Sequence, residues 1–267
     1  MSSSLAVVAE TLEVTPRIRR ITLDVLDPAA LAVAPGADSA VAVYFDATAP
    51  EEGRNYTVRR HDRNRVTIDV VLHERGPGTA WALAARPGDQ VVLDHARSWY
   101  RRPGGCDWQL LLADLSGLPA LARIIGELPG GLPTTAIVDV VDDSDLRYLP
   151  QHPDVTVLAS IGAGNGCAPG SLAERMAQVD SPGTGYCWFA GEAAESRQIR
   201  KHLRARGWRI DQYDITGYWR RDSETWDARF ALVENDVVAV YERALTAGKS
   251  EKVAFEEFDD ALERAGL

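Results

Sequence analysis

The chain has 267 residues, 45% of them hydrophobic, and a formal net charge of −10 at pH 7. This length can bury the cores of two domains. The acidic balance argues against nonspecific binding to nucleic acids or anionic membranes, because their phosphates would be repelled by the average surface. Cysteines are few and widely spaced, with no histidine cluster beside them, which predicts reduced thiols and no metal site: Cys106, Cys167 and Cys187. No signal peptide and no apolar run long enough to span a bilayer are visible, so we expect a cytoplasmic protein without membrane insertion.

Short strands separated by Pro, Gly and Asp turns dominate the first part of the chain. Their residues alternate in polarity or favour extended backbone. The predicted strands are 6–14, 18–25, 39–45, 54–60, 65–73 and 89–95. Six short strands at this spacing predict a small antiparallel barrel, which we assign to residues 1–104.

Beyond the turn-rich stretch 101–105, strands alternate with helices. The predicted strands are 109–113, 134–141, 154–159, 186–190 and 209–215, and the predicted helices are 118–128, 168–178 and 193–206. This alternation predicts a parallel sheet flanked by helices over residues 105–222. Residues 223–267 form an acidic tail with helical periodicity, including a helix at 253–264. We expect the tail to pack on the body of the protein or on a second copy in a homodimer.

Arg54, Tyr56 and Thr57 lie on one predicted strand. Arg54 and Tyr56 share a face of that strand, roughly 7 Å apart. A guanidinium for phosphate, a ring for stacking and a hydroxyl for a ring nitrogen are what a flavin nucleotide needs. Thr57 points to the other face, so it contributes only where the ligand lies across a strand end. An exposed strand with solvated arginines is the alternative interpretation.

A strand ending at His73 is followed by a glycine turn and a short helix, with Gly76, Gly78, Thr79 and Trp81 in order. The free N–H groups at the start of such a helix point at an anion, and Thr79 fits a cap and pyrophosphate donor. Trp81 is equally well explained as a core residue of the helix, and His73 as a solvated strand end.

Four motifs occur in sequence order: Arg-x-Tyr-Thr-x-Arg, His-x-x-Gly-Pro-Gly-Thr-x-Trp, Ala-Gly-Glu and Gly-Tyr-Trp-Arg. Together they resemble the siderophore-interacting protein family over residues 5–221. The resemblance implies an FAD-containing ferric-siderophore reductase of the ferredoxin-reductase-like superfamily, with NADH or NADPH as electron donor. The flavin-binding residues that it implies are Arg54, Tyr56, Thr57, Val58, His73, Gly76, Gly78, Thr79, Trp81, Tyr218 and Trp219.

For the pyridine nucleotide the resemblance implies Asp114, Ser116, Gly164, Asn165, Gly191 and Glu192, with Glu192 also capping the next helix. The family's usual Asp-Glu-Thr-Ala-Leu-Pro-Ala is altered here, because Leu115-Ser116-Gly117 replaces Glu-Thr-Ala. A strand–turn–helix junction without any ligand explains this segment as well. Asp142 and Asp143 follow the second strand of this domain, where acids hold a ribose hydroxyl and favour NADH, although Arg147 lies nearby.

Ferric siderophores are bulky and often anionic, so an acidic protein needs cations at the mouth of the site. The candidates are Arg60, Arg97, Arg101, Arg123 and Arg220. A solvated arginine is the alternative reading for each of them.

The mechanism that the resemblance implies needs no acid–base residue. NADH or NADPH reduces FAD, the flavin reduces Fe(III), and Fe(II) is released in the cytoplasm. A ferredoxin-like donor remains an alternative. So do a flavin oxidoreductase with another acceptor and a non-catalytic protein that binds flavin or siderophore through a degenerate site.

Overall fold

The computed structural model describes residues 3–46, 53–74, 76–163, 170–180 and 183–267. The first part of the chain forms a closed antiparallel barrel with strand order β1-β2-β5-β4-β3-β6, completed by pairing between β1 and β6. The strands are β1 (Ser4–Thr15), β2 (Ile18–Val25), β3 (Ala40–Tyr44), β4 (Gly53–Asp62), β5 (Arg65–Val71) and β6 (Gln90–Arg97). Alternate side chains such as Val41, Val43 and Ile68 fill the interior. The predicted six-stranded antiparallel barrel is confirmed.

Two short helices accompany the barrel, α1 (Pro28–Leu31) and α2 (Pro77–Ala84). Helix α2 lies between β5 and β6, and its Ala82 is fully buried in the barrel core. Proline at the first helical position suits the start of α2, because that N–H has no partner within a helix.

The second half forms a five-stranded parallel sheet with strand order β11-β10-β7-β8-β9. Its strands are β7 (Trp108–Asp114), β8 (Thr134–Val140), β9 (Val155–Ile161), β10 (Gly185–Glu192) and β11 (Tyr213–Trp219). The order reverses between β7 and β10, and open sheets of this kind bind ligands at the carboxyl ends of the strands beside such a reversal. The predicted parallel sheet is confirmed.

Close packing at this reversal depends on a glycine. A Cβ atom on Gly117 would lie 2.4 Å from the carbonyl oxygen of Ala190 on β10. Only glycine therefore lets the turn after β7 approach β10 so closely.

The helices of the sheet domain are α3 (Leu118–Glu127), α4 (Asp143–Leu146), α5 (Leu172–Ala177) and α6 (Ala193–Ala205). Helix α3 packs between the sheet and the barrel, where Arg123 donates to Ser39 Oγ at 2.7 Å and to the Val58 carbonyl at 2.6 Å. The two domains are thus joined directly through α3.

The predicted strand 209–215 is wrong in position. Ile210–Gln212 forms one 3-10 turn, and β11 starts only at Tyr213, which pairs with Cys187. Trp208 and Ile210 alternate with polar residues as the residues of a strand do. In the structure they pack against the core of the sheet domain before β11 begins. Because β11 starts later than predicted, it ends at Trp219, which lies at the carboxyl edge of the sheet.

The tail contains α7 (Ser223–Phe230), α8 (Glu234–Thr246) and α9 (Glu251–Arg264). It packs on the sheet domain, as one of the two expectations stated. Arg200 on α6 donates to Asp259 at 2.5 Å, and Tyr213 donates to Glu256 at 2.6 Å. In the described parts of the chain no helix has both the length and the apolar character needed to cross a bilayer.

A buried carboxylate connects three parts of the molecule. Asp38, in the loop before β3, accepts hydrogen bonds from Ser98 Oγ (2.5 Å), Trp99 N (3.0 Å), Tyr100 N (2.7 Å) and Trp188 Nε1 (3.2 Å). These donors belong to the linker between the domains and to β10. Burial raises the pKa of Asp38, and the four donors oppose that rise.

Candidate functional site

An aromatic cluster holds α2 against β4. The rings of Phe45 and Trp81 stack with centroids 4.9 Å apart, and Tyr56 lies 6.3 Å from each of them. A Cβ atom on Gly78 would meet the Tyr56 hydroxyl at 2.1 Å, so that hydroxyl lies directly on the glycine. The first residues of α2 and the tyrosine of the predicted flavin motif are therefore in contact.

The N-terminus of α2 fits an anionic group. Gly76 precedes the helix with a φ of +126°, and no side chain of the described residues caps it. The Thr79 hydroxyl accepts from the His73 N–H at 2.9 Å, so it ties the end of the preceding strand to the helix instead of capping it. The first backbone N–H groups of α2 therefore lack a side-chain cap within the described residues and can bind an anion.

Arg54 lies at the open end of the barrel. It is exposed, and its guanidinium donates to the carbonyl of the adjacent Gly53 at 2.8 Å. No carboxylate of the described residues lies within ion-pair distance of Arg54. The guanidinium can therefore bind a phosphate without breaking an ion pair.

Thr57 faces the sheet domain. It is only 5% exposed, although it alternates with the interior residues Tyr56 and Val58 and so lies on the outer face of the barrel. The Tyr218 hydroxyl of β11 lies close to Thr57 there, but it has no hydrogen-bond partner within the described residues. Burial and the charge of Asp38 raise the pKa of Tyr218. Tyr218 thus joins barrel and sheet at the position predicted for the flavin.

Asp114 ends β7 beside the reversal in strand order. Its carboxylate accepts from Trp219 Nε1 at 2.5 Å, from Ser116 Oγ at 2.5 Å and from Ser116 N at 2.8 Å. Burial raises the pKa of Asp114 to about 6, and these hydrogen bonds oppose the rise. The altered turn after β7 therefore still places the Ser116 hydroxyl and the Trp219 indole in contact with the Asp114 carboxylate.

Side-chain contacts and neighbours along the chain together connect α2 with the end of β7, and we call this series of residues the contact line. It connects five of the predicted flavin residues with Asp114, one of the predicted nucleotide residues. The contact line runs through Gly78, Tyr56, Thr57, Tyr218, Trp219 and Asp114.

The second glycine segment predicted for the nucleotide lies beside Asp114. A Cβ atom on Gly191 would be 3.1 Å from Asp114 Oδ2. Glu192 accepts from the N–H of Ala194 at 2.5 Å at the start of α6, which confirms its predicted capping role. Gly164, Asn165 and Cys167 lie outside the described residues.

The five predicted substrate arginines do not converge. Arg123 is 8% exposed and is held by Ser39, Val58 and Glu127, because it joins α3 to the barrel. The backbone N–H of Arg101 donates to Asp214 at 3.0 Å, near the amino end of β11. The Arg220 guanidinium lies 3.8 Å from the Trp226 ring centroid in the tail. Arg60 and Arg97 are exposed on the barrel. Each of these arginines thus lies on a different element or has a different partner.

Sequence reasoning missed Asp38. Its neighbours in the sequence indicate an ordinary turn, and its partner Trp188 lies 150 positions away. No local pattern carries that information.

Two family models match this chain, one over the barrel and one over the sheet domain. Residues 28–97 match the family model described as the siderophore-interacting FAD-binding domain, and residues 106–222 match the siderophore-interacting protein model. A siderophore utilization protein from T. fusca is 31% identical in its crystal structure, with a TM-score of 0.68. The alignment covers 82% of this chain and 93% of that one. The chain belongs to the siderophore-interacting protein family.

Two curated relatives are named as reductases. The ferric vibriobactin reductase ViuB of Vibrio cholerae is 31% identical over 183 residues, which are 63% of this chain and 64% of ViuB. The NADPH-dependent ferric-chelate reductase of Escherichia coli is 26% identical over 62% of this chain and 65% of its own length. The chain therefore spans less than two thirds of the length of each of these two relatives.

The cofactor of the matched barrel model is FAD, and the residues present fit it. Arg54 and the uncapped start of α2 offer donors for two phosphates, and Tyr56 and Trp81 offer ring faces nearby. FAD is accordingly the cofactor that this siderophore-interacting barrel is built to bind.

Replacing Gly78 by alanine tests the contact between α2 and Tyr56. The new Cβ would displace the Tyr56 hydroxyl, which is the free end of a side chain, so we expect a change in the free energy of unfolding below about 1 kcal/mol. FAD affinity should fall about tenfold, because Tyr56 moves and the phosphate approach narrows. Fluorescence titration of the apoprotein with FAD measures this. Gly104→Ala, where a Cβ would meet nothing and φ is not in the left-handed region, is the control for the substitution itself.

Protonation of Asp114 gives a pH signature. Its pKa of about 6 exceeds the ordinary 3.8, so the folded chain binds this proton more tightly than the unfolded chain. The resulting stabilisation is complete below about pH 4 and is lost as the pH rises through about 6. The stability of the wild type minus that of Asp114→Asn should therefore fall across this window, as measured by urea unfolding. Burial raises the pKa of Glu195 to about 7; this acid is present in both proteins, and only the part of its shift that the charge of Asp114 causes enters the difference. A difference independent of pH would contradict the assignment.

Proposed function

We propose that this chain is an FAD-dependent reductase of ferric siderophores, with electrons supplied by NADPH or NADH. The observation that carries the proposal is the contact line. It links the flavin motif of the barrel to the reversal in strand order of the sheet, which supports a single site where two redox ligands can meet.

Each part of the site has a separate role in the proposal. Arg54 and the first N–H groups of α2 bind the two phosphates of FAD. Tyr56 bounds the ring on the barrel side, and Thr57 supplies a hydroxyl at its edge. When bound, FAD supplies the redox chemistry by accepting a hydride and donating electrons to iron. Tyr218 closes the site toward the sheet and excludes water.

Asp114 and Trp219 form the part of the site that we propose for the pyridine nucleotide. The hydrogen bond between them fixes the indole at the carboxyl end of β7, next to Gly191 and Ser116. A nicotinamide ring entering there has a flat aromatic surface and a hydroxyl within reach. The name of the E. coli relative supports NADPH as the donor.

The substrate is a ferric chelate, and its iron is cargo of the reaction. Arg60 and Arg97 are the exposed cations of the barrel that we propose for an anionic siderophore, with Arg220 at the tail. Reduction favours release because Fe(II) is held less tightly than Fe(III) by hard oxygen ligands. Release into the cytoplasm is part of the proposal.

Anaerobic turnover tests this function. The purified yellow protein is mixed with NADPH or NADH, and flavin bleaching is recorded. Ferric catecholate and hydroxamate chelates are then added together with a chromogenic Fe(II) trap. We expect bleaching, followed by recovery of the flavin colour as trapped Fe(II) forms. Bleaching that ferric chelates do not reverse would favour an oxidoreductase with another acceptor, and no bleaching with either nucleotide would favour a ferredoxin donor or a binding role.

A further inference from the structure

Strand β9 forms one edge of the parallel sheet and is poorly covered. It pairs with β8 on its inner side. Three of its apolar side chains are exposed: Val157 (39%), Leu158 (43%) and Ile161 (51%). Among the described residues no strand occupies its outer side, so the backbone N–H and C=O groups there can bind another strand.

This edge has none of the features that keep exposed strands apart. Natural edge strands are protected by lysine, proline, a bulge or very short length. Strand β9 has seven residues, none of them charged and none of them proline, and it pairs with β8 without a bulge. Uncharged segments of this length and of high β propensity pair readily with other strands.

The two faces of β9 differ in polarity. Ser160 accepts a hydrogen bond from Arg175 of α5 at 2.7 Å, so Thr156, Leu158 and Ser160 face α5. Val155 packs in the cluster that includes α3 and α4, and it marks the opposite face. That face is apolar along its whole length, and its residues are Val155, Val157, Ala159 and Ile161.

The sequence of β9 is complementary to itself. In an antiparallel pair of two copies centred on Leu158, Thr156 of one copy lies opposite Ser160 of the other, and every other pair is apolar. Directly opposite pairs of this kind stabilise a sheet. On the apolar face the pairs would form one continuous strip. The apolar pairs are Val155–Ile161, Val157–Ala159 and Leu158–Leu158.

Charges at the two ends of β9 favour the same antiparallel arrangement. Asp154 immediately precedes the strand, and its side chain is 30% exposed. Arg175 lies at the other end, beside Ser160, and is 3.6 Å from Asp139. Antiparallel pairing brings the start of one strand to the end of the other, so each Asp154 approaches the Arg175 of the other copy. A parallel pair would place the two acids together.

We propose that β9 pairs with β9 of a second copy of this chain, about a two-fold axis at Leu158. The pair joins two five-stranded sheets into one sheet of ten strands. Seven residues span only about 23 Å, so the interface is smaller than the roughly 1,600 Å² of a typical stable complex. We therefore expect a dissociation constant in the micromolar range.

The proposed dimer is independent of the proposed function. Strand β8 separates the interface from β7, where the contact line ends. The carboxyl ends of the two sheets point in opposite directions in an antiparallel pair. Each copy therefore keeps its contact line away from the interface, and the dimer is tested without any turnover.

Sedimentation velocity of the full chain loaded with FAD tests the proposal, from low micromolar to several hundred micromolar protein. We expect an equilibrium between monomer and dimer. Leu158→Lys places two like charges opposite each other at the two-fold axis, and it should raise the dissociation constant at least about tenfold. Leu232→Lys makes the same substitution at a leucine of the tail that is 85% exposed, and it should leave the equilibrium unchanged. Far-ultraviolet circular dichroism checks the fold of both variants.

A disulfide tests the register without relying on the lysine variant. Opposite Cα atoms in an antiparallel pair are about 4.5–5.5 Å apart, which suits a disulfide. Under mild oxidation we expect Leu158→Cys to give crosslinked dimers above the background that the native cysteines give in the wild type. Thr156→Cys is the control and should stay at that background, because the two copies of this position would lie more than about 13 Å apart.

Each contrary outcome is specific. A monomer at every concentration overturns the proposal, and so does a dimer that a folded Leu158→Lys variant still forms. Loss of the dimer in Leu232→Lys would place the interface in the tail instead. Equal crosslinking of Leu158→Cys and Thr156→Cys would contradict the register. Failure of flavin reduction by both nucleotides would defeat the proposed function and leave these results standing.

Discussion

Replacing Asp38 by alanine is expected to lower the free energy of unfolding by about 3–5 kcal/mol, the effect of removing one side of a buried, hydrogen-bonded polar network. Four donors, from Ser98, Trp99, Tyr100 and Trp188, would lose their common acceptor. Because these donors join the linker and β10 to the barrel, the two domains should also unfold less cooperatively. Urea unfolding followed separately by tryptophan fluorescence and far-ultraviolet circular dichroism measures both effects.

A matched control is Asp62→Ala, which removes an exposed carboxylate from the end of β4. We expect it to change the free energy of unfolding by less than about 0.5 kcal/mol. Asp38→Asn keeps the volume and one acceptor oxygen, and should fall between the wild type and the alanine variant. A loss below about 1 kcal/mol for Asp38→Ala would contradict the role that we assign to this carboxylate.

Replacing Arg54 by alanine is expected to weaken FAD binding by about 1.5–3 kcal/mol, which is roughly 10- to 100-fold in the dissociation constant. The guanidinium has no carboxylate partner within the described residues, so its charge is available to phosphate. The folded structure should be almost unaffected, because Arg54 is exposed and, among the described residues, bonds only to the adjacent carbonyl. Titration of the apoprotein with FAD, together with the urea midpoint, separates binding from stability.

Arg65→Ala is the matched control for this variant, since it removes an exposed arginine from the neighbouring strand β5. FAD binding by that variant should equal the wild-type value. Arg54→Lys should recover part of the affinity, because it keeps the charge but not the forked geometry. If Arg54→Ala bound FAD as tightly as the wild type, the phosphate contact would be wrong.

The barrel and the parallel sheet could be predicted because their signals are local. Strand length, turn residues and the alternation of strands with helices all lie within short windows of sequence. The motif around Arg54 and the turn at Gly78 could be placed on their elements for the same reason. Only the structure brings the Tyr56 hydroxyl onto Gly78, since the two residues lie on different elements.

What the sequence did not reveal depends on long-range contacts and on register. The partner of Asp38 on β10 is distant in sequence, and so are Arg20 and Arg59 of the barrel from Arg147 of the sheet domain, with which they line one cavity. The start of β11 was misplaced because Trp208 and Ile210 are apolar in alternation yet lie in a turn. Arg123 resembled a surface cation, whereas tertiary packing buries it between α3 and the barrel.

The tail was expected to pack on the body of the protein or on a second copy, and it packs on the sheet domain. Its packing on the sheet domain follows from ion pairs such as Arg204–Asp260, at 2.9 Å. A homodimer through the tail stays a prediction, and so does a ferredoxin-like donor.

The crystal structure of the FAD-loaded protein tests the central claim most directly. The account predicts that the FAD phosphates contact Arg54 and the first N–H groups of α2. It also predicts that the flavin ring lies along the contact line, against Tyr56 and Thr57 and within reach of Tyr218. FAD bound elsewhere, or bound with Arg54, Tyr56 and Thr57 all out of contact, would contradict the account.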